Sequence, residues 1–179
     1  MQIANRYFKE YLGLLLRRRD RFLELWTGQG DHPEGPRFDS IGFLDSITYF
    51  EMLLVQLRAI CIERKMVNYT IQNFSHLNKF DIGLEAVDDM LSQVIPYGDP
   101  IGDSRMPLRD AIKILTDKFI CHYDNLEGGE SHVDRNDEEE LMKALLPFGH
   151  GGRVWWIGDL ISLIKNIVVE VERKKNEHL

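Results

Sequence analysis

From Val154 to Arg173 the apolar residues recur at spacings of three and four: Ile157, Leu160, Ile161, Ile164, Ile167, Val168 and Val171. That period puts them on one side of an α-helix, and a helix with one apolar side must bury it against other elements. The same period returns along the chain. Residues 2 to about 26 carry Ile3, Tyr7, Tyr11, Leu15, Phe22 and Trp26, widened by Leu12, Leu16 and Leu23. A second helix, capped by Ser40 and running to about Lys65, buries Phe43, Ile47, Phe50, Leu54, Leu57 and Cys61. Residues 67–80 mix strand formers (Val67, Tyr69, Thr70) with a helical triplet (Ile71, Phe74, Leu77), and a lone short strand would lack a partner, so helical turns are expected.

Asp81 opens a helix with Leu84, Val87, Leu91 and Val94, stopped by Pro96. Residues 96–102 read as a turn-rich connection. Asp103 or Ser104 starts a central helix whose stripe is Leu108, Ala111, Leu115, Phe119 and His122, with Pro107 in its first turn. After a polar loop, Asn136 opens a short helix with Glu139 in a capping-box position, and Pro147 ends it. No strand series interrupts these stripes. The expectation is an all-α helical bundle of about five or six helices. It forms a single domain over residues 1–179, with a charged C-terminal tail from about 174.

Composition narrows the function classes. With 44% apolar and 28% charged residues the chain is of ordinary globular type. No apolar run approaches the roughly 20 residues that cross a bilayer, and the N-terminal stretch lacks the apolar core of a secretory signal. A cytoplasmic protein without a membrane partner is expected. Cys61 and Cys121 both fall on apolar stripes and form no C-x-x-C pair, which favours buried reduced thiols over a disulfide or a zinc site. No cofactor motif is present and no metal site is expected: His132 and Asp134 stand near His122, Asp124 and Glu130 without a ligand spacing. The net charge of −7 argues against broad binding to phosphate backbones. Arg17, Arg18, Arg19 and Arg21 form the one dense basic cluster, read first as the solvated face of a long helix and second as a nucleic-acid contact.

The densest chemistry is at Asp117–Asn125, where Lys118, His122, Tyr123 and Asp124 gather at the end of the central helix. An imidazole near neutral pKa can take a proton from a ribose hydroxyl or deliver one to a leaving oxygen. Lys118, one turn earlier, can stabilise a phosphate, and Tyr123 or Asp124 can orient the ring. The alternative is a histidine closing the core at a helix C-terminus, where its charge complements the dipole.

The run Lys118-Phe119-Ile120-Cys121-His122-Tyr123-Asp124 resembles the end of the third helix in HEPN-domain proteins of the abortive-infection and prophage branch. The resemblance implies an all-α bundle, a homodimer that brings two such histidines together, and metal-independent action on RNA. His122 would be the general acid/base, supported by Lys118, Asp124 and Tyr123. One position departs from the pattern. The family's motif has an arginine a turn or two before the histidine, where this chain has Leu115, Thr116 and Asp117. Lys118 stands nearest as a point charge, without the bidentate guanidinium. Arg109 would lie on nearly the opposite helix face.

Three further features have weaker patterns. The link Phe148–Arg153 offers the backbone of Gly151 and Gly152, with Arg153, as an anion-binding turn, or simply a hinge before the last helix. Glu85 and Asp88 are spaced as one carboxylate pair of an all-α nucleotide pyrophosphatase, but no second pair matches them. The adjacent Trp155 and Trp156 cannot share one core stripe, which makes them candidate anchors of a protein-interaction module.

Overall fold

The computed structural model describes residues 2–27, 41–63, 70–79, 82–98, 104–121, 135–147 and 155–177. Among them are seven α-helices and one two-stranded sheet, so the fold is mostly helical, as the apolar periods imply. The chain divides into two compact units, Met1–Phe74 and Ser75–Leu179, where the sequence reads as one.

In the first unit, α1 (Gln2–Thr27) packs against α2 (Ile41–Leu57). Phe8, Leu12, Leu15 and Phe22 from α1 join Phe50, Leu53, Leu54 and Leu57 from α2 in the core. The Phe22 ring meets Phe50 with centroids 5.3 Å apart, and Phe8 stacks on Phe74 at 4.6 Å. The α1 stripe is rotated from the expected one. Phe8 is buried and Tyr7 is 48% exposed, because a phenyl ring has no hydroxyl to hydrate and takes the interior place.

Helix α2 ends in a wide π turn over Arg58–Ile62, where the Glu63 N–H donates to the Arg58 carbonyl five residues back at 2.9 Å. The Arg58 guanidinium then bonds Glu63 at 2.7 Å across the turn. Cys61 sits in this turn and is half-buried rather than buried, because the wider coil carries it off the core face. Residues 67–80 contain a true helix, α3 (Ile71–Leu77), with Thr70 as its cap: the Asn73 N–H donates to Thr70 Oγ1 at 3.2 Å.

In the second unit, α4 (Leu84–Ser92) leads into β1 (Val94–Tyr97), which pairs antiparallel with β2 (Ser104–Pro107) before α5 (Leu108–Cys121). Strand β1 takes in Pro96 and Tyr97 of the expected connection, whose residues 99–102 lie outside the described residues, and β2 stands at the expected start of the central helix. Pro96 stands opposite Arg105, a place open to proline because a two-stranded sheet consists only of edges. Pro107 closes β2 instead of entering the helix, and it holds Met106 extended. Gly98, at φ 97°, turns the chain out of β1. Val94 is exposed and does not belong to the α4 stripe; Ile95 is the strand's buried residue.

Helix α6 (Arg135–Leu145) packs beside β1 with Leu141 and Leu145 buried, and Pro147 follows it. Asn136 lies inside α6, and Glu139 pairs with Lys143 at 3.0 Å instead of closing a capping box. Every residue of the expected stripe on α7 (Trp156–Glu177) is buried, and the helix continues through Lys174 and Lys175 to Glu177, so the charged end is helical.

Candidate anion-binding groove

The side of α1 that carries Leu14, Arg17, Arg18 and Arg21 meets Tyr49 and Met52 of α2. Together they line an open groove of about 430 Å³, within the size range of small-ligand sites. Arg17, Arg18 and Arg21 stand three, four and seven residues after Leu14, so local helix geometry alone groups three guanidinium groups beside it. Tyr49 is half-buried and neighbours the fully buried Phe50, which anchors this part of α2 in the core. The groove therefore has an apolar and aromatic wall on one side and a cationic one on the other.

The arginines differ in their partners. Among the described residues, Arg17 and Arg18 form no ion pair and no side-chain hydrogen bond. Arg21 donates to Glu24 Oε2 at 2.8 Å. That bond and the Glu24 charge raise its pKa, with a smaller contribution from the Tyr49 phenol. Arg19 does not line the groove; it bonds Asp20 through both Nε and Nη2, at 2.9 and 2.7 Å. Two guanidinium groups with no carboxylate partner among the described residues, next to a ring and a thioether, suit an anion joined to a flat or apolar body.

The sequence grouped these arginines but read them first as a solvated face. Tyr49 and Met52 were missed because they come from another helix. Their signal is positional: they flank Phe50, whose ring touches Phe22, one residue beyond Arg21.

The residues of the His122 reading stand elsewhere. Helix α5 runs through Lys118 to Cys121, with Leu108, Ala111 and Leu115 of its expected stripe buried, joined by Ile112 and Thr116. The Lys118 side chain, His122, Tyr123 and Asp124 lie outside the described residues, as do Gly151, Gly152 and Arg153 and the loop with Glu130, His132 and Asp134. Asp88 of the carboxylate pair accepts a bond from Arg109 at 2.7 Å. Among the described residues no cluster of three or more His, Cys, Asp or Glu is placed to hold a metal ion, and no helix is long and apolar enough to cross a membrane. Trp155 and Trp156 are both half-buried. The Trp155 ring covers Gly158 so closely that an added Cβ would fall 2.2 Å from its Cε3.

Comparison of the chain with protein-family models, curated proteins and solved structures gives no match.

Proposed function

We propose that this protein binds RNA, with Arg17 and Arg18 holding the phosphate backbone in the groove of α1 and α2. The observation that carries the reading is that, among the described residues, these two arginines have no carboxylate partner, beside a tyrosine, in a chain of net charge −7. The net charge repels a polyanion elsewhere, so attraction is confined to within about 8 Å of the groove at physiological ionic strength. The sequence supports the same substrate independently, through the HEPN-like run Lys118–Asp124. On that resemblance the protein is a homodimeric, metal-independent ribonuclease with His122 as general acid/base and Lys118, Asp124 and Tyr123 in support.

Binding and cleavage are tested separately. Anisotropy of a labelled single-stranded RNA should rise on adding the protein, and an Arg17→Ala/Arg18→Ala variant should lose most of that binding. Incubation with end-labelled RNA in EDTA should give cleavage that His122→Ala abolishes. Intact RNA with the native protein would remove the ribonuclease reading and leave the binding one. Sedimentation of the native chain tests the homodimer.

A second reading, a protein-interaction module, draws on α2. Leu44, Thr48, Met52 and Val55 follow one another at spacings of four, four and three, and Leu44 is 58% exposed, Met52 41% and Val55 36%. The opposite face of the same helix is in the core, so α2 is apolar on two sides, which marks a helix that buries both. A Leu44→Asp/Val55→Asp variant should release a bound protein partner while leaving RNA binding intact.

A further inference from the structure

We infer that the groove takes an unpaired nucleotide, with Tyr49 as the platform on which its base stacks and Arg17 and Arg18 each holding one of the phosphates that flank it; this rests on the RNA reading above. Three observations on the molecule lead there. First, the walls differ chemically: guanidinium groups come from α1, and a phenol ring with a thioether comes from α2. A phosphate alone would need only the first wall. A ligand that uses both has a charged end and a flat, polarisable body, which is the chemistry of a nucleotide. Second, the groove is open to solvent, with a volume of about 430 Å³, so a strand can reach the Tyr49 wall from outside. Third, Tyr49 is half-buried on the groove wall while Arg17 is exposed at its edge. A base reaches that ring only after leaving a stack, because in an A-form duplex the bases are paired and covered on both faces. The groove thus selects unpaired strands through one aromatic side chain, and it does so with little dependence on base identity, since every base has a π-face.

The test uses the full chain and fluorescently labelled RNA of about twelve nucleotides, single-stranded or annealed to its complement. The native protein should bind the single strand at least about tenfold more tightly than the duplex. Tyr49→Ala should weaken single-strand binding by roughly 5- to 150-fold, the range of one lost base stack, and leave the weak duplex binding unchanged. Tyr49→Phe keeps the ring and should stay within about twofold of native, which separates stacking from a loss of fold. Arg17→Ala/Arg18→Ala should weaken both ligands. Equal binding of single strand and duplex, with Tyr49→Ala indistinguishable from native, would overturn the stacking platform while the arginine-dependent RNA site stands. Binding of either ligand that ignores the arginine pair would overturn the RNA reading of the groove itself.

Discussion

Gln56 lies fully buried on α2, and among the described residues neither end of its amide has a hydrogen-bond partner. A buried polar group without a partner carries its desolvation cost uncompensated, about 1–3 kcal/mol. Gln56→Met keeps the length of the side chain and removes both polar atoms. It should raise stability by about 1 kcal/mol or more, read as a higher urea midpoint at unchanged slope. A lower midpoint would mean that the amide is held by an interaction worth more than its desolvation. Glu51, on the same helix, is perturbed in the same sense. Burial raises its carboxyl pKa above the ordinary 4.5, so the folded state binds its proton more tightly than the unfolded chain does. Its contribution to stability is therefore most favourable below pH 4.5 and is lost as pH rises through the folded value. Glu51→Gln cannot ionise. Relative to native, it should gain stability between acidic and neutral pH, and the two urea curves should differ least at the acid end.

At the level of elements, what the sequence showed depended on how each element is stabilised. Helix α7 was legible because a long one-sided helix writes its burial as a period: all seven residues of its stripe are buried. The hairpin of β1 and β2 was not legible. Its strands are four residues each, contain Pro96 and Pro107, and alternate too briefly to show a period of two. Its stability comes from partners distant in sequence, such as α6 beside β1, and not from local propensity. Helix α1 lay between these cases. Its existence was plain, but its rotation was set by the choice of Phe8 over Tyr7. The approach of α4 to α7 gives a test at this scale. Gly83, at φ 72°, precedes α4, and a Cβ there would fall 2.6 Å from Ile167 Cγ1. Gly83→Ala should cost roughly 1–3 kcal/mol through the left-handed backbone and the clash together. Ile167→Ala removes the obstructing atoms, so the double variant should be less destabilised than the sum of the two single ones. A double-mutant cycle measures that coupling, and strict additivity would mean that the two sites do not touch.

At the scale of the whole molecule, charge decides what the groove can do. The arginine cluster was visible in the sequence as composition, but composition could not show that Arg19 leaves the set for Asp20 or that Tyr49 and Met52 complete it. Those facts depend on which helix faces meet, and the sequence alone does not contain them. The consequence is quantitative. A protein that neutralises phosphates releases counterions, and for single strands the logarithm of affinity falls with the logarithm of salt at about 0.7 per phosphate contacted. Arg17, Arg18 and Arg21 line the groove, and Arg21 is shared with Glu24. The slope should therefore lie between roughly −1.4 for two contacts and −2.1 for three. Arg17→Ala should make it shallower by about 0.7, whereas Arg19→Ala, which removes a guanidinium outside the groove, should leave it nearly unchanged. Titration of labelled single-stranded RNA across a series of salt concentrations reads all three slopes. A native slope much steeper than this would assign most of the binding to cations elsewhere on the chain. Equal effects of the Arg17 and Arg19 substitutions would reduce the groove to one part of a diffuse basic face.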